Sequence, residues 1–575
     1  MKKILFRILV LTVALGMLTA CGNSTSETPA STSVQSSVSS AAPTNSSGDS
    51  NSSVIPDEGD RFNAPGEFPI IKETATLTIA LPANANVENY DTNKYTELLK
   101  EKVNVDITFE LMPAALDDAR QKLALDIASS SALPDVIILN LNDIDVMEYG
   151  YQGAFIPLND MYDNLSFFYK NAIADNNDTT TLELLTYPNG NMYSLPKLNC
   201  VTGNVHSHLA WINDTWLTAL DKKMPETTEE LYDVLKAFKT EDPNGNGKAD
   251  EIPMVGSGSF HEHSNPFAFL MSAFINVQPG NQEKYLSVKD GVVYAPYDKP
   301  EWLEGLKYMN RLVSEGLLDP VTFTQDLAQN KALLEYEETA IVGSFSYINF
   351  AVYSPESERM KDMVSLPPIT GPDGVCTTPY FPATPVQYFF ITRDCADPEA
   401  AFMVGDYMLS HEATVWTRFG EVDVDYKEAD DNSQGVYYAV NPDIKLVLEP
   451  ILVWGSVQNA NWADETPKYR AYNGMDVVWN GNPWDQGYVK ANAIGKYIDA
   501  APKEVISGLV MTEEELSQLR DITGTLITFI EETSARMITG NESFDFWDTY
   551  LEELERIGSQ TYVEIAQTAY DRMYK

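Results

Sequence analysis

The segment Asp242-x-Asn244-x-Asn246-Gly247-Lys248-x-Asp250-Glu251 places oxygen-bearing side chains at alternate positions around a glycine. A hard cation such as Ca²⁺ takes about six to eight oxygen ligands, and one tight loop can supply most of them. Asp242, Asn244 and Asn246 stand at the first, third and fifth places, Gly247 permits the sharp turn, and Lys248 offers its main-chain carbonyl. An EF-hand loop would carry a bidentate Glu at the twelfth place, which here is Pro253. A solvated Asn-Gly turn would use similar residues. Four oxygen donors in register with the glycine favour calcium bound within residues 242–253.

Other residue types with chemical potential carry less. His206-Ser207-His208 and His261-Glu262-His263 lack the i, i+4 histidine spacing of zinc proteases. Gly256-Ser257-Gly258-Ser259 does not form a nucleophile elbow. Carboxylates are abundant, so a glycosidase, which needs only a suitably spaced pair, is the rival reading from another class. Four of the nine tryptophans, Trp454, Trp462, Trp479 and Trp484, fall in one short stretch. Flat rings stack on the apolar faces of sugars, which points to carbohydrate as solute. Within this stretch Trp454 and Trp462 are the aromatic candidates for contact with it.

The elements that must hold these residues read as alternating strands and helices. Leu77, Ile79 and Leu81 alternate, a helix is expected over 92–102, and Val103, Val105, Ile107, Phe109 and Leu111 keep period two. Leu116, Ala119, Leu123 and Ile127 share a helix face, and 136–139 is a continuous apolar run. An α/β lobe with an open parallel sheet is expected, with ligand beyond the carboxyl ends of its strands, where Asn140 stands. A second set follows: a short strand over 209–212, a helix with capping-box spacing from Thr227 to Glu230, and a helix opened by Pro300 and closed by Gly316.

At the N-terminus Lys2, Lys3 and Arg7 precede an apolar run over 8–18, the order of a secretory signal. Residues 22–60 are rich in Ser, Thr and Asn with few apolar side chains, the composition of a disordered tether. With 84 acidic against 39 basic residues and a formal net charge of -45, the chain is unsuited to nucleic acid or an anionic lipid surface. Cys200, Cys376 and Cys395 are too few and too scattered for a disulfide framework, although one pair could form.

Three stretches resemble known sequences. Leu18-Thr19-Ala20-Cys21 resembles a bacterial lipobox, in which the cysteine is lipidated, with palmitate among its acyl groups. Leu123-Ala124-Leu125-Asp126-Ile127-Ala128-Ser129 with Leu133-Pro134-Asp135-Val136-Ile137, and Trp211-Ile212-Asn213-Asp214-Thr215-Trp216-Leu217 through Gly247, resemble the family 1 extracellular solute-binding proteins, in particular a Gram-positive lipoprotein subgroup with a calcium loop. Gly343-Ser344-Phe345-Ser346-Tyr347 and Asp397-Pro398-Glu399-Ala400-Ala401 are similar to that family's later crossover and second-lobe helix. The resemblance covers about 74–426.

It implies a two-lobed, type II periplasmic-binding-protein-like α/β fold with a helical, aromatic-rich C-terminal extension. The organisation it implies is a signal peptide over 1–20, lipidated Cys21 and tether over 21–60, a first lobe over 74–195 and 338–395, and a second over 196–337 and 396–575. It further implies closure of the calcium shell by Asp250 and Glu251, an approach of Trp416 and, after the crossover, Tyr347 to the cleft, capture of a sugar or oligosaccharide without turnover, and delivery to ABC permease subunits. The location is then the outer face of the cytoplasmic membrane. The chain has no Gly-rich Lys-Ser/Thr loop of its own, so the transport ATPase is another chain. A monomer is expected, and a solute sensor docked to a receptor kinase is a further alternative.

Overall fold

A computed structural model describes residues 61–278, 285–354, 357–430, 433–471 and 474–575. Signal, lipobox and tether therefore lie outside the described residues. Strand β1 (Ala75–Pro82) leads to helix α1 (Lys94–Val103), β2 (Val105–Met112), α2 (Leu116–Ala128), β3 (Val136–Leu141) and β4 (Leu195–Asn199). Strand β5 (Ala210–Asn213), α3 (Thr228–Thr240), α4 (Pro300–Ser314), β6 (Ser344–Ser346) and β7 (Met363–Leu366) follow. Next come β8 (Val386–Ile391), α5 (Pro398–Met408) and β9 (Lys468–Arg470), and the chain closes with α6 (Gln486–Tyr497), α7 (Glu513–Ile538), α8 (Trp547–Ile557) and α9 (Ser559–Tyr574).

Local chemistry fixes several boundaries. The Asn93 side chain accepts from the Tyr95 N–H to start α1, and Asn104, at φ 67°, ends it in the left-handed conformation that Asn tolerates. Thr227 caps α3 by accepting from the Glu230 N–H at 3.2 Å. The reciprocal half of the expected capping box is shifted, because Glu230 accepts from Glu226 N–H, one residue before the cap.

The first sheet has the order β9-β4-β8-β3-β1-β2. β1 pairs in parallel with β2, Leu77 opposite Ile107, and with β3. The sheet is mixed, correcting the expectation of a parallel one: β8 runs antiparallel to both β3 and β4. β8 follows β7 of the second sheet, and on returning to the first sheet it runs opposite to its neighbours. The second sheet is small and antiparallel, β6-β5-β7, with Trp211 opposite Phe345 and Ser365. Trp211, Trp216, Phe238 and Phe345 are completely or almost completely buried around it. Helix α7 packs on α4 and is tied to it by Asn310, whose side-chain N–H donates to the carbonyls of Met537 and Ile538 at 3.2 and 3.0 Å.

These pairings revise the expected lobe boundaries. β6 and β7, within 338–395, belong to the second sheet, whereas α5 and β9, within 396–575, belong to the first lobe. Strands of three or four residues carry almost no periodicity, so only their hydrogen-bond partners assign them. The chain thus passes between the two sheets twice, after β4 and after β7, and crosses a third time after β9, when α6 packs on β7. Cys200, Cys376 and Cys395 are free thiols.

Asp406 on α5 ties the first lobe together. Fully buried, it accepts from the Ser166 hydroxyl at 2.7 Å and from the N–H groups of Phe167, Phe168 and Tyr169 at 3.0, 2.9 and 3.1 Å. Asp406→Ala strands four donors, so a loss of about 3–5 kcal/mol is expected. Chemical denaturation measures it, and Asp406→Asn, which retains an acceptor, should lose less.

Candidate functional site

The carboxyl ends of the parallel strands open onto a cavity of about 430 Å³. Its walls include Pro82 at the end of β1, Leu139 and Asn140 on β3, Lys197 and Asn199 on β4, Tyr388 on β8, and Glu465. Asn140 is held by Arg120 on α2, whose Nε donates to its carbonyl at 2.8 Å and whose Nη2 donates to its side-chain oxygen at 3.2 Å. Lys197 Nζ donates to Tyr388 Oη at 3.1 Å and to Glu465 Oε2 at 3.2 Å, and lies 4.4 Å above the tyrosine ring. The Tyr388 hydroxyl in turn donates to Glu465. Burial, reinforced by Glu465, holds that hydroxyl well above its ordinary range, so it stays a donor. The wall presents an ammonium, a phenol, a carboxylate and two amides beside aromatic carbon, a set able to pair with many hydroxyls.

The aromatic candidates separate. Trp454 is 57% exposed, with the Arg418 guanidinium 4.1 Å from its ring centre. Arg418 also reaches Asp464, the chain neighbour of Glu465, at 3.6 Å. Trp416 is partly buried and donates its indole N–H to the Ala460 carbonyl at 3.1 Å. Tyr347 is partly buried against the His263 ring, 4.8 Å between centroids. Trp462 is corrected to a core residue: it is fully buried, donates to Thr96 Oγ1 at 2.9 Å, and meets Tyr95 and Phe109 edge-on at 5.2 Å. No face of it is left for a solute. Lys197, Tyr388 and Glu465 were not singled out from sequence, because strands distant in the chain bring them together.

In the loop after α3, Gly245 and Gly247 adopt φ of 68° and 73°, and Asp242 itself adopts 48°. An added Cβ at Gly247 would meet nothing within 4 Å, so glycine serves the backbone angle there and not packing. Asp242 accepts from the N–H groups of Asn246 and Gly247 at 3.1 and 3.0 Å. Asn246 accepts from the Lys248 N–H at 2.7 Å, and its amide donates to Asp250 at 3.0 Å. Ile252, just past the loop, makes an isolated bridge to Val342. Among the described residues no three His, Cys, Asp or Glu side chains are gathered closely enough to hold a metal ion. Yet Glu251 Oε1 is buried without a partner, and burial pushes its carboxyl up, with Asp250 and Asp242 adding to the rise. An orphaned carboxylate oxygen beside an all-oxygen donor set fits a hard cation.

His206 and His208 pack as neutral rings. His208 and His206 are lowered by burial to about 3 and about 4, and His208 stacks on Phe381 with centroids 4.9 Å apart.

Residues 79–415 match the family described as bacterial extracellular solute-binding protein. The fructooligosaccharide ABC transporter substrate-binding protein FusA of Streptococcus pneumoniae is 28% identical over 478 residues, spanning 79% of this chain and 83% of FusA. Its structure in complex with kestose superposes with a TM-score of 0.66 at 24% identity, over 86% of this chain and 99% of that one. An EF-hand mutant of FusA in complex with fructo-nystose gives 0.64 at 24% identity over the same shares. An extracellular solute-binding protein of Bifidobacterium longum subsp. infantis gives 0.73 at 20% identity, over 87% and 99%.

Proposed function

Because this chain belongs to the bacterial extracellular solute-binding protein family, with the two-lobed α/β fold of such proteins, we propose that it captures an oligosaccharide outside the cell and hands it unchanged to an ABC permease. The observation that carries this reading is the polar, aromatic cavity of Asn140, Lys197, Tyr388 and Glu465 at the strand ends. Glu465 is the one carboxylate among the described residues lining it, and Lys197 and Tyr388 engage it. A glycosidase needs two carboxylates flanking the scissile bond, so this wall suits holding better than cleaving. Three passages of chain between the lobes form a hinge, and solute binding and lobe closure become one equilibrium. Trp454, Trp416 and Tyr347 are the stacking candidates, and Cys21 anchors the protein by acyl chains to the outer face of the membrane.

Calorimetry against a glycan panel that includes kestose tests the reading. One glycan should bind, small-angle scattering should contract with it, and the glycan should be recovered intact. Steady product release by the pure protein would overturn capture in favour of hydrolysis.

The reading includes Ca²⁺ held by Asp242, Asn244, Asn246, Asp250, Glu251 and the Lys248 carbonyl. The ion would neutralise the buried Glu251 oxygen and brace the second lobe. An ion present at a hundredfold over its dissociation constant adds about 2.7 kcal/mol to stability. Chelation should therefore lower the unfolding temperature of the parent and leave an Asp242→Ala, Glu251→Ala double variant unmoved. Equal sensitivity of both proteins would place the ion elsewhere.

A further inference from the structure

Among the described residues only two lysines or arginines are buried, Lys468 and Lys490. Their surroundings differ. Lys468 Nζ lies 2.5 Å from Asp464 Oδ2, so that charge is matched within the protein. Lys490 on α6 is 6% exposed, and no hydrogen bond or ion pair to it occurs among the described residues. Its stem is buried, but its Nζ is not one of the fully enclosed polar atoms, so the ammonium is partly desolvated, reaches solvent, and can be approached by an anion from outside. Acidic residues are plentiful in a chain with 84 of them, yet none comes near enough to Lys490 to offset its burial.

Its neighbours are donors and rings. Lys490 and Tyr437 converge over the backbone of Gly203: a Cβ there would fall 3.0 Å from Lys490 Cε and 2.3 Å from the Tyr437 hydroxyl oxygen. The Tyr437 hydroxyl is held well above its ordinary range, first by burial, so it remains protonated. On another side His263, neutralised by burial, lies in the field of Lys490 and packs against Tyr347. The segment carrying Gly203 follows β4, the strand that bears Lys197 and Asn199 of the cavity. An ammonium and a phenolic O–H beside two rings form a receptor for an anion attached to a flat, hydroxylated body.

We propose that Lys490, aided by the Tyr437 hydroxyl, is the counter-ion for an anionic group on the captured solute, which makes that solute an acidic oligosaccharide such as a uronide. The inference rests on the capture of an oligosaccharide proposed above. It also accounts for the retention of Lys490 without a protein partner, since the ligand carboxylate completes the pair on closure. Burial lowers the lysine to about 8, which leaves it mostly charged at neutral pH.

The test uses the full mature chain, trigalacturonate and the carboxyl-reduced trisaccharide of the same linkage, compared by calorimetry at pH 7. The acidic sugar should bind about tenfold tighter or more, the size of one charge-assisted contact. Lys490→Met, which keeps the packing of the stem, should erase that preference, and Lys490→Arg should retain most of it. Equal binding of the two sugars by the parent, or an undiminished preference in the Met variant, would overturn the anion site. Kestose bound equally by the parent and the Met variant, with no acidic preference, would refute the site and leave oligosaccharide capture standing. Failure of every glycan to bind would refute both.

Discussion

Replacing Lys197 by Met is expected to weaken solute binding by about thirtyfold to a hundredfold while leaving the fold intact. Lys197 bridges β4 and β8 through Tyr388 and Glu465, and all three line the cavity. A hydrogen bond to a charged group contributes about 1.5–3 kcal/mol, so losing one toward a ligand hydroxyl already costs an order of magnitude. The further loss comes from Glu465, which is then free to leave the position that Lys197 and Tyr388 define. Stability should change by less than about 1 kcal/mol, because the Lys197 and Glu465 side chains are 21% and 35% exposed and solvent screens their attraction. Calorimetry with the best glycan of the panel, run beside thermal unfolding, separates the effects. Unchanged affinity would remove the cavity from the binding site. A double variant with Glu465→Gln measures the coupling, which should be clearly non-additive for groups 3.2 Å apart.

How far the site could be foreseen follows from where its parts lie in the chain. The β1-α1-β2 unit was legible because the first five residues of each strand keep period two and Asn93 and Asn104 punctuate the helix. Asn140 was placed correctly at a strand end by a topological rule that needs only the direction of β3. Lys197, Tyr388 and Glu465 were invisible, since nothing in the sequence pairs β4 with β8 across more than 180 intervening residues. The misassigned stretch that includes β6 and β7 has the same origin. Gly343 through Tyr347 is too short to reveal whether it adds to the first sheet or to β5, and only the hydrogen bonds of Ser344 and Ser346 decide.

The tryptophans illustrate the other limit. Trp454 and Trp462 lie eight positions apart in similar company, yet one is 57% exposed and the other fully enclosed. The difference comes from partners remote in sequence. Tyr90, Tyr95 and Phe109 surround Trp462, whereas Trp454 meets the guanidinium of Arg418. Composition identifies a surplus of rings and leaves their allocation between core and surface to the tertiary fold.

Replacing Cys21 by Ala is expected to move nearly all of the protein from the membrane fraction to the medium, with solute binding unchanged. The cysteine follows Lys2, Lys3, Arg7 and an apolar run over 8–18, and it ends the lipobox-like Leu18-Thr19-Ala20-Cys21. Each acyl CH₂ buried in lipid contributes about 0.8 kcal/mol, so a second chain turns marginal attachment into a firm one. A net charge of -45 disfavours contact with anionic lipid, and among the described residues no helix is long and apolar enough to cross a membrane. The anchor thus acts all or none. Fractionation with palmitate labelling measures it: the parent should carry the label and sediment with membranes, and the variant should do neither. A variant that stayed membrane-bound without label would mean that the apolar run itself holds the protein, and the lipid anchor would be refuted.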